Sequence, residues 1–237
     1  MKRQANQNLD LVLINSSMTI TISIEGNVGA GKSTFLSSFS DVDEEIDLLL
    51  EPVEQWQNLE GHNLLKLMYE DPKQNTFLFQ MYVMLTDLMR HLKPSTKRAR
   101  LVERYSGSLI FIAASQIKGD ISPEQTAVLD AWRSAMSVIP GFQMRPDAII
   151  YLKTSPRVAF QRIKERNRDE ERGVKLEFIE ELHMLHEIFF SEISDLNSEK
   201  PIKVFTVDAD EPLGSAEFDR VKGEVMEYIR TKSSLNN

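Results

Sequence analysis

The chain has 237 residues, a formal net charge of −8 and no cysteine. This length suits one domain with a substantial core, and the lack of cysteine excludes a disulfide framework and thiol chemistry. The acidic balance argues against a nucleic-acid partner, which would need a basic face, and the apolar runs are too short to span a membrane.

Residues 1–17 are predicted to be a flexible leader that carries Lys2, Arg3 and a short apolar patch. A secretory signal would need a longer apolar core, and a mitochondrial presequence is usually richer in arginine and free of an acid such as Asp10. We therefore expect a cytoplasmic protein, with a mitochondrial one as the alternative. Residues 18–237 are predicted to form a single domain.

Short apolar runs alternate with helical stretches along this domain. The predicted strands are 18–25, 46–50, 99–103, 147–152 and 202–208. The predicted helices are 31–39, 60–69, 73–92, 107–118, 123–139, 156–168, 175–196 and 214–231. This alternation indicates an α/β fold with a five-stranded, mostly parallel sheet, helices on both faces, and ligands beyond the carboxyl ends of the strands.

The segment GNVGAGKS follows the first predicted strand and opens the first predicted helix. It matches the phosphate-binding loop (P-loop) G-x-x-x-x-G-K-[ST], whose glycines let main-chain N–H groups approach phosphate oxygens at a helix N-terminus. Lys32 would reach the β- and γ-phosphates, and Ser33 would be a ligand of Mg²⁺. The sequence therefore predicts a nucleoside triphosphate site. Its loop residues are Gly26, Asn27, Val28, Gly29, Ala30, Gly31, Lys32, Ser33 and Thr34.

Charged residues follow the second and third predicted strands. Pro52 ends the second strand and fixes Glu51 at its tip, where an ionised carboxylate could accept a proton from a substrate hydroxyl. Glu103 and Arg104 end the third strand, and such a pair can hold Mg²⁺ or its water on one side and a phosphate or hydroxyl on the other. The alternatives are a surface glutamate before a turn and an exposed ion pair.

The predicted helix 73–92 has two distinct faces. The expected core stripe is Phe77, Met81, Leu85, Leu88 and Leu92. The second face carries Gln80, Met84, Asp87 and His91. A glutamine offers both a donor and an acceptor, as the edge of a nucleobase requires, while an ordinary solvated face is the alternative.

Residues 162–172 alternate cations with acids. The cations are Arg162, Lys164, Arg166, Arg168 and Arg172. Several are like-charge neighbours four residues apart, which destabilises a helix unless an anion arrives. We predict a mobile lid whose cations close over transferring phosphates, with a salt-bridged surface helix as the alternative.

Further motifs extend over the chain. They are IEGN at 24–27, EPVEQW at 51–56, GHNLL at 61–65, LMY at 67–69, FQ at 79–80, YLKTSP at 151–156 and VDAD at 207–210. With these residues, from about 19 to 211, the chain resembles the eukaryotic-type deoxynucleoside kinase family, including its insect broad-specificity, mitochondrial thymidine and deoxycytidine kinase branches. The resemblance implies a P-loop kinase fold with a lid and phosphorylation of the 5′-hydroxyl of deoxynucleosides in nucleotide salvage.

The resemblance also implies ATP, Mg²⁺, a homodimer and a role for each matching residue. The catalytic residues would be Glu51 as general base, Lys32 and Arg104, and the metal site would be Ser33 and Glu103. The substrate would contact Glu51, Trp56, Met68, Tyr69, Gln80, Val83, Met84, Asp87, Arg104 and Glu171, with Tyr69 and Glu171 on the 3′-hydroxyl. The lid cations would be Arg162, Lys164, Arg166 and Arg168, and adenine would lie against Asp208, Ala209 and Asp210.

The chain departs from the family pattern in two places. The segment after Arg104 is about two residues short. It is similar to the Asp-Arg-Tyr-x-x-Ser element of thymidylate kinases, which leaves a nucleoside monophosphate kinase as one alternative and a non-catalytic protein with the same fold as another. Asp87 replaces a methionine or arginine of relatives, and it either accepts from an exocyclic amine of the base or points outward.

Overall fold

The computed structural model describes residues 19–42, 44–105, 107–143, 145–195, 202–212 and 214–235. The predicted leader, 1–17, lies outside the described residues. The strands are β1 (Ile20–Gly26), β2 (Ile46–Leu49), β3 (Ala99–Glu103), β4 (Ala148–Lys153) and β5 (Lys203–Asp208). The helices are α1 (Lys32–Ser37), α2 (Val53–Gln57), α3 (Leu64–Glu70), α4 (Pro72–His91), α5 (Gly107–Lys118), α6 (Pro123–Ser137), α7 (Pro156–Arg166), α8 (Leu176–Asp195) and α9 (Ala216–Leu235).

The five strands form one sheet in the order β2-β3-β1-β4-β5, and every neighbouring pair is parallel. This confirms the predicted α/β fold. In the register of the sheet, Ile24 of β1 lies opposite Glu103 of β3 and Ile150 of β4. The carboxyl ends of β1, β2 and β3 therefore deliver the P-loop, Glu51 and Glu103 to one edge.

Helices cover both faces of the sheet, as predicted. On one face, α1 and α9 pack against the strands, and the Phe35 ring lies 5.4 Å from the rings of both Phe39 and Phe218. A second buried cluster joins Val28 of the P-loop to α5, α7 and α8. Because successive residues of a strand face opposite sides, the neighbours Ile149 and Ile150 belong to separate clusters. The P-loop is thus anchored to the core on two sides.

Two helical assignments differ from the sequence prediction. The prediction omits α2, whose five residues are too few to show a helical period. The helix predicted at 60–69 begins only at Leu64, because residues 59–62 form a tight turn in which Gly61 has a φ of 90°. The Asn63 side chain then caps α3 by accepting a 2.8 Å hydrogen bond from the Lys66 N–H.

The faces of α4 also differ from the prediction. Leu85 and Leu92 are 48% and 39% exposed, so they do not belong to the monomer core. Gln80, Met84 and His91 are buried instead. The His91 ring tolerates burial because its Nδ1 hydrogen-bonds the Asp87 carbonyl at 2.7 Å.

Candidate active site

A cleft of about 880 Å³, its open mouth included, lies at the carboxyl edge of the sheet. The P-loop and the ends of β2 and β3 form its floor, α2, α3 and α4 form one wall, and residues 166–171 lie over it. The predicted site residues that line it are Val28, Gly29, Gly31, Lys32, Ser33, Thr34, Glu51, Trp56, Met68, Tyr69, Gln80, Val83, Glu103, Arg104, Arg166, Arg168 and Glu171. One cavity thus collects most residues predicted for the donor and acceptor sites.

The P-loop has the backbone that its glycines permit. Gly29 and Gly31 have φ values of 78° and 87°, a region that side chains disfavour. A Cβ on Gly29 would lie 2.3 Å from the Ala159 carbonyl oxygen, so the loop packs directly against α7 there. The Asn27 side chain fixes the loop from inside, since it donates to the Ile179 carbonyl at 2.8 Å and accepts from the Val28 N–H at 2.8 Å.

Lys32 is buried beneath the loop. Its ammonium donates to the carbonyls of Asn27 at 2.8 Å and Gly26 at 3.2 Å. Burial and, after it, the charge of Arg104 lower the pKa of Lys32 to about 8, although Glu51 and Glu103 act in the opposite direction. Lys32 is therefore still cationic at neutral pH and able to bind an anion.

Ser33 and Glu103 form the oxygen-rich part of the floor. The Ser33 hydroxyl donates to Oε1 of Glu103 at 2.7 Å, and Oε2 of Glu103 accepts from the Glu51 N–H at 3.2 Å. No cluster of three or more His, Cys, Asp or Glu side chains suited to a metal occurs among the described residues. Mg²⁺ usually binds one or two protein oxygens together with phosphate and water, so Ser33 and Glu103 fit this ion.

Glu51 and Arg104 face each other across the cleft floor. Nε of Arg104 lies 2.6 Å from Oε1 of Glu51, and its guanidinium stacks 4.7 Å from the Phe111 ring centroid. Burial alone would raise the pKa of Glu51, but Arg104 and Lys32 outweigh it and hold this pKa below its ordinary value. The carboxylate is therefore ionised at neutral pH.

An apolar pocket adjoins this pair. The Trp56 and Phe79 rings meet edge to face, with centroids 5.6 Å apart, and Val83 belongs to the same buried cluster. The indole N–H of Trp56 donates to the Thr86 hydroxyl at 3.0 Å, which fixes the ring. Gln80 lines the pocket, and its side-chain amide has no hydrogen-bond partner within the described part of the chain. The pocket therefore offers flat apolar walls and one free amide.

The lid segment supplies a second charged cluster. Arg166 donates two hydrogen bonds to the Glu171 carboxylate, at 2.8 and 2.6 Å, and Arg168 donates a third at 3.0 Å. Tyr69 lies in the same wall, and burial followed by the charge of Glu171 raises its pKa, so its hydroxyl stays protonated. Glu170 accepts from Asn63 at 2.6 Å and Gln57 at 3.1 Å, which ties the lid to α2 and α3.

Two predicted lid cations lie away from the cleft. Arg162 donates to the carbonyls of Ala209 at 2.7 Å and Asp210 at 3.4 Å. Lys164 donates to the carbonyls of Arg172 at 3.3 Å and Val174 at 3.4 Å. In this arrangement α7 directs these two side chains toward neighbouring loops, while Arg166 and Arg168 line the cleft.

The predicted adenine segment lies beyond this cleft, at the end of β5. The Asp210 carboxylate accepts from the Ser155 N–H at 2.7 Å, and the Ala209 N–H donates to the Lys153 carbonyl at 2.9 Å. Asp208 accepts from the Asp210 N–H at 3.2 Å. These bonds join the segment to the start of α7, on the donor side of the P-loop.

Two residues predicted to contact the substrate do not line the cleft. Met84 packs behind it, in a buried cluster with Ile112, Leu129 and Met136. Asp87 pairs with Arg90 at 2.7 Å. The Met84 side chain is enclosed by α5 and α6, and the Asp87 carboxylate is held by its neighbour one helical turn away.

Sequence reasoning missed several lining residues. They are Val53, Leu65, Phe79 as a wall residue, and Phe111. Apolar residues of this kind carry no chemical signature, so their sequence pattern does not distinguish a pocket wall from a core. Phe111 is recognisable only through its stacking on Arg104.

Comparison with known proteins now identifies the family. The deoxynucleoside kinase family model matches residues 22–232, which is most of the chain. The chain belongs to the deoxynucleoside kinase family. It is therefore a phosphotransferase that acts on deoxynucleosides in nucleotide salvage, with ATP as phosphate donor, as the resemblance implied.

Individual deoxynucleoside kinases are similar over most of their length. Human mitochondrial thymidine kinase 2 is 36% identical over 189 residues, which cover 79% of this chain and 70% of that protein. Chicken deoxycytidine kinase 2 is 29% identical over 232 residues, with 86% of each chain covered. Human deoxycytidine kinase is 29% identical, with 89% of this chain and 91% of that protein covered. Of the helices described in this deoxynucleoside kinase, none is long and apolar enough to cross a membrane.

Proposed function

We propose that the chain transfers the γ-phosphate of Mg-ATP to the 5′-hydroxyl of a deoxynucleoside, with Glu51 as the general base. The observation that carries this proposal is the placement of an ionised Glu51 between the apolar pocket and the P-loop, 2.6 Å from Arg104. A hydroxyl acceptor seated in the pocket would face the donor phosphate across this carboxylate.

The acceptor binds in the apolar pocket. Trp56, Val83 and Met68 pack against the base and sugar, and the Gln80 amide hydrogen-bonds the base edge. Tyr69 and Glu171 hold the 3′-hydroxyl. These two groups can act together because a protonated phenol donates and a carboxylate accepts.

The donor binds along the P-loop. Main-chain N–H groups at Gly29 to Ser33 surround its phosphates, and Lys32 neutralises their charge. Ser33 and Glu103 would hold Mg²⁺, and this ion would neutralise charge on the phosphates. Asp208 to Asp210 lie against adenine, and Arg162 holds that segment in place through two carbonyls.

Catalysis consists of positioning and charge neutralisation. Glu51 accepts the proton of the 5′-hydroxyl, and Arg104 and Lys32 stabilise the charge that develops on the transferred group. Arg166 and Arg168 close over the phosphates and exclude water. The acceptor is a neutral nucleoside, since a monophosphate would bring a second anion against Glu51.

The first experiment measures initial rates with Mg-ATP on the four deoxynucleosides and on deoxythymidine monophosphate, for the wild type and for Glu51→Gln. We expect turnover of nucleosides but not of the monophosphate. We expect Glu51→Gln to lose about 10²- to 10⁴-fold in kcat, the usual contribution of a general base, with ATP binding unchanged.

The matched control is Glu54→Gln, which changes an exposed carboxylate three residues away and is expected to leave kcat unchanged. Near wild-type kcat in Glu51→Gln would remove Glu51 from the mechanism. Turnover of the monophosphate alone would replace the proposal with a monophosphate kinase.

We propose in addition that the enzyme is a homodimer. Leu78, Leu85 and Met89 form one exposed apolar face of α4, with Met89 60% exposed, and a second copy would cover it. Light scattering is expected to give twice the monomer mass, and Met89→Glu is expected to shift the population toward the monomer. A wild-type monomer mass at micromolar concentration would overturn this proposal.

The compartment is proposed to be the cytoplasm, with the mitochondrion as the alternative. A fluorescent protein fused after residue 237, with and without residues 1–17, decides between them. Signal that moves from mitochondria to cytosol on removal of this segment would establish the alternative.

A further inference from the structure

Arg90, in the last turn of α4, binds the main chain at the ends of two strands. Its guanidinium donates to the carbonyls of Leu49 at 3.2 Å, Glu103 at 3.0 Å and Arg104 at 3.3 Å. Arg90 is 6% exposed, so these bonds are shielded from water. No role for Arg90 could be predicted from the sequence, because an arginine near a helix C-terminus is common in any fold.

Two of these carbonyls lie on either side of the Arg104 Cα atom. The Glu103 carbonyl precedes the Arg104 N–H, and the Arg104 carbonyl follows it, so Arg90 holds both peptide planes around one Cα atom. The Arg104 N–H is itself held by the Ile24 carbonyl at 2.9 Å. Fixing both planes fixes φ and ψ, and therefore the direction in which the Arg104 side chain leaves the backbone.

Arg104 needs such a clamp because its φ is 56°, in the left-handed region. A residue with a Cβ persists in this conformation only where its surroundings hold it. The conformation directs the guanidinium to Glu51, at 2.6 Å. Relaxation of this backbone would move Arg104 away from Glu51 without changing the pocket walls.

Asp87 is the acidic side chain that faces this guanidinium. Burial raises the pKa of Asp87 to about 7, although Arg90 acts in the opposite direction, so the carboxylate form predominates above that pH. A buried guanidinium requires a nearby anion, and Oδ1 of Asp87 accepts from Arg90 at 2.7 Å. Asp87 does not line the cleft, and its carboxylate, which could have contacted the base, binds Arg90 instead.

We propose that Arg90, with Asp87 as its counter-ion, is a positioning residue for phosphoryl transfer that holds the Glu103–Arg104 backbone and so aims Arg104 at Glu51. It acts through Arg104 and touches neither substrate. This inference rests on the catalytic roles proposed above for Glu51 and Arg104.

The test is a double-mutant cycle on the full-length enzyme with Arg90→Met, Arg104→Met and the double variant. Arg90→Met is expected to lower kcat by at least about 10-fold while KM for the nucleoside changes by less than about 3-fold, because the pocket is untouched. The double variant is expected to be no slower than Arg104→Met alone, since residues that act through one another do not add.

Arg100→Met is the matched control. Arg100 is a second buried arginine that donates to main-chain carbonyls, those of His91 at 2.7 Å and Lys93 at 2.6 Å, and it holds neither of the peptide planes around the Arg104 Cα atom. Its loss is expected to lower Tm and leave kcat within about 3-fold of wild type. Arg90→Lys is expected to restore part of kcat relative to Arg90→Met, since an ammonium can still donate to these carbonyls.

Asp87→Asn separates positioning from base recognition. It keeps the acceptor oxygen toward Arg90 but removes the charge, so kcat is expected to fall by the same factor for all four deoxynucleosides. A change in their ranking would make Asp87 a base-reading residue and overturn its role as counter-ion. If Arg90→Met fails to fold, Arg90→Lys and Asp87→Asn carry the test.

Failure of this inference differs from failure of the proposed mechanism. Losses of Arg90→Met and Arg104→Met that multiply in the double variant would overturn the positioning role, as would an equal kcat loss in Arg100→Met. Wild-type turnover in Arg104→Met would instead overturn the catalytic assignment of Arg104, on which the inference depends.

Discussion

At the residue scale, burial acts oppositely on the two charged groups that flank the transfer site. Burial disfavours any charge, so it lowers the pKa of Lys32 and would raise that of Glu51. Glu51 faces two cations and stays ionised, whereas Lys32 also lies near Arg104 and its pKa falls to about 8. The site is therefore charged on both sides at neutral pH, but Lys32 is close to losing its proton.

We predict that kcat/KM for ATP falls above about pH 8. This ratio reports the pKa values of the free enzyme, and only the protonated Lys32 attracts phosphate. The measurement is the pH profile of kcat/KM for ATP between pH 6.5 and 9.5. A profile that is flat to pH 9.5 would contradict the lowered pKa of Lys32.

At the element scale, the lid is divided by the end of α7. The chain alternates cations evenly through this region, but α7 ends at Arg166 and Asn167 takes a left-handed φ of 49°. The turn that follows brings Glu171 back to Arg166, at the end of the helix, and to Arg168, whereas Arg162 and Lys164, earlier in the helix, bind neighbouring loops. A uniform sequence pattern therefore splits into two structural roles.

We predict that Arg166→Gln lowers kcat by about 10²-fold, the usual loss when one donor to a developing charge is removed. Arg172→Gln is the control, because that side chain is 65% exposed and pairs only with the exposed Asp169 among the described residues. It is expected to retain kcat, since exposed ion pairs contribute little. Equal kcat losses in the two variants would contradict the division of the lid.

At the scale of the whole molecule, two buried histidines couple folding to pH. Burial lowers the pKa of His91 to about 4 and that of His186 to about 3, below the ordinary value of 6.5. Below pH 6.5 the unfolded chain therefore binds more protons than the folded chain, and stability falls as pH decreases. In the folded chain, Nδ1 of His91 hydrogen-bonds the Asp87 carbonyl, and Nδ1 of His186 hydrogen-bonds the Leu182 carbonyl.

We predict that the free energy of unfolding decreases between about pH 6.5 and pH 4, and that His186→Gln flattens this dependence. Urea unfolding at pH 7.5, 6 and 5 measures it. His62→Gln changes an exposed histidine and is expected to leave the slope unchanged. The same slope in His186→Gln and wild type would contradict a buried neutral ring.

The α/β class, the five strands and the P-loop could be predicted from the amino-acid sequence alone, because periodicity and glycine spacing are local properties. It also placed Glu51 and Glu103 at strand ends, which in a parallel sheet share one edge. The motifs of the family also predicted a deoxynucleoside kinase, and the match to the family model confirms this prediction.

The partner of each charged side chain depends on how distant elements pack together, so it could not be predicted from the sequence. Asp87 and Gln80 share one predicted helical face, yet Gln80 lines the cleft while Asp87 binds Arg90. The contact of Arg90 with Glu103 and Arg104 joins residues that are 13 and 14 positions apart in the chain. No local pattern encodes such a contact, because it depends on how α4 packs across the ends of β2 and β3.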